Sequence, residues 1–318
     1  DLAESVRLFE QVVEMDPNFA RGWEGLSAVS AVVESWGIID RDYNAMVKPA
    51  AERALKLDPT LSMPWAGLAM AEQNEKNVDW TKSLELSAKA IQADPKNATA
   101  YLWRSIAWLN LGFFDKAIAD QDSCLRVDPA YQNCTRWKAQ SYVYSGNDKQ
   151  AMALFERGVA SGFITNRANS FVPVMVRNGN TLAARLILKE INVSPEFSNV
   201  LIAALTKPAA SSIDVKAVLA KYGVENTKSS GVELSPRIVY LWLGDFDAVG
   251  QHASEGEGSN DEILAWETAR SGWRNSAGFK QVLQKNNVFD YWRKHGFPPH
   301  CHAVGKDDFT CDQPRLMP

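Results

Sequence analysis

Leu57-Asp58-Pro59, Ala93-Asp94-Pro95 and Val127-Asp128-Pro129, with Met15-Asp16-Pro17 ahead of them, are four copies of one short signal. Proline has no N–H to give to a helix interior and pushes the residue before it toward extended backbone. Each Asp-Pro therefore marks a helix that ends and a chain that starts again. The copies stand 42, 36 and 34 residues apart, and a boundary that recurs at a nearly fixed interval is the mark of a repeat architecture. Six residues after each of the first three prolines stands an aromatic: Trp23, Trp65 and Tyr101. Inside the last interval, Leu111-Gly112 breaks the helical pattern and Lys116-Ala117-Ile118 resumes it. One unit is thus a helix, a glycine turn and a second helix.

A period of 34 with this layout resembles the tetratricopeptide repeat, in which an aromatic, a turn glycine, small residues at the helix crossing and a closing proline recur. The clearest copies run from Ala98 to Pro129 and from Gln132 to Phe163, the latter with Tyr142, Gly146, Ala151 and Phe155 in place but without a closing proline. The first full copy carries eight extra residues around Ser35 to Tyr43, and Leu2 to Met15 reads as a partial helix before it. A single helix pair has too little core of its own, and stacked neighbours bury one continuous interior. Trp23, Trp65, Trp103, Trp108 and Trp137 are accordingly read as packing residues.

The expected fold is an all-α, right-handed superhelical solenoid of tetratricopeptide-type hairpins with an irregular C-terminal cap. Residues 1–163 form the repeats. Residues 164–250 continue as degenerate hairpins, marked by Asn178-Gly179-Asn180, by helical runs at Ser198 to Thr206 and Ser212 to Tyr222, and by Leu243-Gly244-Asp245-Phe246. Residues 251–318 hold a loop from His252 to Asn260, short helices at Glu262 to Arg274 and Gly278 to Lys285, and an irregular cysteine-containing cap from His295 onward.

Charge and motifs narrow the function. The 318 residues carry 34 basic and 38 acidic side chains, a net charge of -4, without blocks. No footprint for nucleic acid or an anionic surface follows from that distribution. No apolar stretch approaches the roughly 20 residues of a membrane span. Neither H-E-x-x-H, G-x-S-x-G, a Walker A sequence nor G-x-G-x-x-G occurs, and Gly256-Glu257-Gly258 reads as a loop. The chain is therefore expected to be non-enzymatic and to use no cofactor.

Two groups of residues are candidates for function. In a solenoid the first helix of each pair lines the groove, and the repeat register places Arg21, Glu24, Met63, Met70, Asn74, Leu102, Asn110, Arg136, Gln140 and Tyr144 there. A protein or peptide partner would bind this wall, although Arg136 and Gln140 only partly echo the Lys and Asn clamp that some tetratricopeptide proteins close on a peptide carboxylate. The second group is His300, Cys301, His302 and Cys311, preceded by His295. Imidazole and thiolate ligate zinc well, but adjacent His-Cys-His ligands cannot easily face one ion. The other readings are a Cys301 to Cys311 disulfide, matched by a Cys124 to Cys134 pair of the same spacing, or reduced structural cysteines.

Met15-Asp16-Pro17-Asn18-Phe19-Ala20 with Trp23, the run Ala50 to Pro59, and the tail Tyr291 to Pro299 followed by Val304 to Asp312 are similar to the repeat region of bacterial class III adenylate cyclases and winged-helix transcriptional regulators. That resemblance implies an effector domain N-terminal to this segment in the cytoplasm, a membrane span between them, and repeats facing the periplasm as a sensory or scaffold module. The start at Asp1 in mid-pattern agrees with a piece of a longer chain. A cytoplasmic adaptor, a small-molecule sensor or metal enzyme using the His and Cys cluster, and homo-oligomerisation through exposed repeat edges are the alternatives.

Overall fold

The computed structural model describes residues 2–33, 38, 40–160, 168–206, 214–223, 234–255 and 265–313. The chain divides into two compact units, one built on residues 1–137 and the other on residues 138–257 and 261–318, with the division inside a helix. The expected insertion at Ser35 to Tyr43 lies partly outside the described residues, as does the stretch from Gly256 to Leu264.

The first unit contains α1 (Leu2–Met15), α2 (Ala20–Val33), α3 (Asn44–Leu57), α4 (Met63–Gln73), α5 (Trp80–Ala93), α6 (Ala98–Asn110), α7 (Phe114–Val127) and the start of α8 (Gln132–Tyr144). They pair as α2 with α3, α4 with α5 and α6 with α7. First helices also pack on first helices, α2 on α4 and α4 on α6, which is the contact that turns hairpins into a stack. Val6, Val13, Leu26, Val33, Tyr43 and Ala50 form a core that joins α1 to the first hairpin. Gly25 lets the Phe9 ring lie on α2, since a Cβ there would stand 2.1 Å from the ring.

Each Asp-Pro joint is built in the same way. Asp58, Asp94 and Asp128 leave their helices in extended backbone, with φ of -144°, -144° and -134°, the region that a following proline demands. Their side chains then accept from the backbone N–H two residues on, Thr60, Lys96 and Ala130, at 3.0, 2.9 and 3.0 Å, as Asp16 does from Asn18 at 2.9 Å. Aspartate is chosen here because a short acceptor can fold back on its own turn.

The turns inside the hairpins are equally uniform. The second unit continues α8 and adds α9 (Asp148–Ala160), α10 (Val172–Arg177), α11 (Thr181–Glu190), α12 (Pro195–Thr206), α13 (Val215–Tyr222), α14 (Pro236–Leu243) and α15 (Phe246–Glu255). Gly112, Gly146, Gly179 and Gly244 have φ of 77°, 76°, 76° and 90°. The residue after each donates its N–H five residues back, Phe113 to Trp108, Asn147 to Tyr142, Asn180 to Met175 and Asp245 to Tyr240, at 2.8, 2.8, 2.8 and 3.0 Å. This is the Schellman ending, which needs a left-handed residue. The same turn closes α11 with Asn192 (φ 61°) in the glycine position. The repeat therefore persists beyond residue 163 in its turns after its helix signature has faded. The fold is all-α in its repeats, a tetratricopeptide-like arrangement of hairpins.

The last segment departs from expectation. His252 to Glu255, expected in a loop, continue α15. Residues 266–272, expected as helix, are irregular and lead into a single 3-10 turn at Trp273–Asn275. Beyond α16 (Ala277–Lys285) stands an unanticipated helix, α17 (Val288–His295), with Asp290 in its first turn and Arg293, Lys294 and His295 in its last. That order complements the helix dipole. The cap is not irregular: β1 (Cys301–Val304) and β2 (Asp308–Cys311) form an antiparallel hairpin. Phe309 from β2 is buried against Phe289 at 5.0 Å, Trp292 at 5.2 Å and Phe279 at 6.1 Å, and this aromatic core fixes the hairpin.

Candidate functional site

The groove residues separate into two classes. Arg21 is exposed and donates to Glu24 at 2.7 Å. Glu24, Met63, Asn74 and Arg136 are half-buried; Asn74 donates to the Ala31 carbonyl at 3.2 Å, joining α4 to α2, and the Arg136 guanidinium lies 4.9 Å from the Trp137 ring centre. Met70, Leu102, Asn110, Gln140 and Tyr144 are buried. These five correct the expected wall, because a residue sealed from water offers a partner no surface. The repeat register finds the helix face but says nothing of what the rest of the chain lays over it.

Both cysteine pairs are disulfides. Cys124 in the last turn of α7 meets Cys134 in the first turn of α8 across the Asp128-Pro129 joint, with 6.3 Å between Cα atoms. Cys301 and Cys311 are directly opposed on the hairpin. The metal alternative falls with them, since a thiolate committed to a disulfide is not a ligand. Strand alternation also sends His302 outward while Cys301 points in. His300 sits edge-on to Trp266 at 5.3 Å, and burial pushes its pKa down to about 3, so it is neutral. His295 stacks on Tyr291. No group of three His, Cys, Asp or Glu side chains converges on a cation position among the described residues.

A charge cluster that the sequence did not announce lies under residues 265–274. Arg270 Nε donates to the Trp242 carbonyl at 2.8 Å, at the C-terminal end of α14. Arg274 Nη2 donates to the Tyr144 carbonyl at 2.6 Å, at the C-terminal end of α8, and to the Trp266 carbonyl at 2.8 Å. Arg177, the last residue of α10, holds Asp148 of α9 through Nε and Nη2, and donates to the Thr268 carbonyl at 3.2 Å and to Thr268 Oγ1 at 3.0 Å. Carbonyls at the C-terminal ends of α8 and α14, where the helix dipole is negative, are thus tied to this segment by its own arginines, and α10 is tied to it by Arg177, which donates to Thr268.

Glu267 completes the cluster at 4% exposure. Ser170 hydrogen-bonds it and Arg177 and Arg274 attract it, but its Oε2 has no hydrogen-bond partner among the described residues. Burial outweighs these and raises its pKa to about 7. Burial also lowers that of Arg274, to about 9, which leaves the guanidinium charged at neutral pH. The signal available in the sequence was three charged residues, Glu267, Arg270 and Arg274, between Trp266 and Trp273 or next to them. Elsewhere a shallow polar depression of about 530 Å³ between α15 and α16 is lined by Asp247, Gln251, Gln281 and Gln284.

No family model matches the chain. Among solved structures it is similar to MamA, at 17% identity over 51% of this chain and 89% of that one, with a TM-score of 0.36. It is similar to TTC0263, a thermophilic TPR protein of Thermus thermophilus, at 17% identity over 57% of this chain and 89% of that one, with a TM-score of 0.42. It is also similar to the human IFIT1 dimer with PPP-AAAA, at 13% identity over 80% of this chain and 67% of that one, with a TM-score of 0.37. All three TM-scores lie below 0.5, so the turns and joints described above, and not these likenesses, define the repeat.

Proposed function

We propose that the chain is a non-enzymatic interaction or scaffold module that holds a protein or peptide partner along the first helices of its hairpins. The observation that supports this reading is the direct packing of α2 on α4 and α4 on α6; α2 and α4 carry Arg21, Glu24, Met63 and Asn74 with side chains at least partly in water. Residues 1–163 supply the regular repeats in this reading, and residues 164–250 and 251–318 extend and close them. Two disulfides are compatible with an oxidising compartment, and none of the described helices is long and apolar enough to cross a membrane. The setting that fits the terminal motifs is the exported portion of a bacterial signalling or transcriptional regulator.

Photo-crosslinking from a probe at Met63, with a probe at Glu85 on the exposed side of α5 as control, tests the proposal in the cell of origin. A discrete adduct from Met63 that is absent from Glu85 supports it. Identical adduct patterns from both positions overturn it.

A further inference from the structure

Residues 266–272 are irregular, yet the segment from Ala265 to Arg274 is held at several points by side-chain hydrogen bonds. Three arginines bind it to the ends of hairpins: Arg274 to Tyr144 of α8, Arg177 of α10 to Thr268, and Arg270 to Trp242 of α14. Trp266 lies under the Arg274 guanidinium at 5.4 Å, and Trp273 donates from its indole to the Ala265 carbonyl at 2.7 Å, which closes the segment on itself. Gln140 and Tyr144, placed by register on the face of α8 that a partner would meet, are buried.

Such a segment would be a simple structural element if every buried polar atom in it were satisfied, as is the rule. Glu267 breaks that rule, with a carboxyl oxygen that has no hydrogen-bond partner among the described residues at 4% exposure. A protonated carboxyl tolerates this site, whereas a carboxylate there keeps a buried negative oxygen without a donor.

We propose that residues 265–274 form an internal strap, docked on the C-terminal ends of α8, α10 and α14, which loosens when Glu267 gives up its proton. The inference needs no external partner and stands or falls apart from the interaction reading above. The groups that face Glu267 are Ser170 before α10, Arg177 at the end of α10 and Arg274 in the 3-10 turn. Asp148 is occupied by Arg177, and His300 is neutral with its pKa near 3. Within the cluster, Glu267 is therefore the group that changes charge between pH 5 and 8, its pKa being about 7 when docked.

The direction follows from linkage. A released Glu267 ionises with an ordinary pKa of about 4.3, and a docked one only near 7. Docking is strongest below the lower value, weakens as pH rises between the two, and levels off above the higher one. The expected loss is between about two and three orders of magnitude in the docking equilibrium.

The test is hydrogen exchange of the whole chain with both disulfides intact, followed by mass spectrometry of peptides covering 265–274 and 140–147 across that pH range, corrected for intrinsic exchange. In the natural sequence, protection of both peptides should fall together up to about pH 7 and then hold level. In Glu267→Gln, protection should stay high and flat. Ser170→Ala gives an independent check: removing a hydroxyl that favours the carboxylate should move the midpoint to higher pH. The strap is overturned if the two peptides lose protection separately, if Glu267→Gln keeps the pH dependence of the natural sequence, or if the Ser170→Ala midpoint does not move.

Discussion

Arg104 on α6 reaches across its hairpin to Asp120 on α7, donating from Nε at 2.8 Å and from Nη2 at 2.6 Å. The pair is bidentate and mostly shielded, with Asp120 the deeper partner. Two charges placed between packed helices stabilise only while both are present, because removal of one leaves the other desolvated. Asp120→Ala is therefore expected to lower stability by about 2 to 3 kcal/mol, a figure reduced from the fully buried case because Arg104 keeps some water. Arg104→Met with Asp120→Leu should return most of that loss. Urea denaturation of Arg104→Met, Asp120→Leu and the double variant gives the coupling directly, and additive losses would show that the ion pair does not act as a unit.

The turn glycines and the crossing glycines are expected to differ in kind. At Gly179 (φ 76°) an added Cβ meets nothing within 4 Å, so Gly179→Ala carries the left-handed backbone cost alone, about 1 to 2 kcal/mol. At Gly278 the Cβ would stand 1.9 Å from the Phe246 carbonyl oxygen, so Gly278→Ala must push α15 and α16 apart and should cost more than the turn variant. Thermal unfolding of the two variants side by side orders them, and an equal shift would mean that the α15 and α16 crossing is not close-packed.

The fold was legible wherever a residue has one local job. Asp58, Asp94 and Asp128 announce their joints because the residue before a proline must extend, and Gly112, Gly146, Gly179 and Gly244 announce their turns because the Schellman ending needs positive φ. Asn192 makes the same turn without a glycine, and there the pattern was missed. The C-terminal hairpin has strands of four residues each, too short for alternation to declare itself. The contact at the end of α8 was not legible at all, because the arginine that binds the Tyr144 carbonyl comes 130 residues later, at Arg274.

The Cys124–Cys134 bridge closes a loop of 10 residues. Loop-closure entropy for a ring of that size corresponds to about 3 kcal/mol. Replacing both cysteines by serine should lower stability by roughly that amount, and the mass of denatured protein alkylated without reductant should show no modified thiol in the natural sequence. Four alkylated thiols in protein from its own cell would place the chain in a reducing compartment and remove the exported reading.

Glu267→Gln should also change global stability in a pH-dependent way. The folded pKa of about 7 lies above that of an unfolded glutamate, so the natural chain loses stability as pH rises between these values. The glutamine variant escapes that loss. It should match the natural chain near pH 4 and exceed it at pH 8 by up to about 3 kcal/mol, read from denaturant midpoints at the two pH values. A constant difference at both would assign the effect to shape and not to charge.

The bridge between α7 and α8 spans a joint, so it also decides how the chain would answer to a pull. Under tension an unbridged repeat boundary can be drawn out along its whole length. Here the 10 residue steps from Cys124 to Cys134 are withheld, about 35 Å of contour at full extension. If force is transmitted along this chain, the boundary between those two helices is where extension is capped, and reduction would appear in a single-molecule trace as added length, not only as a lower rupture force.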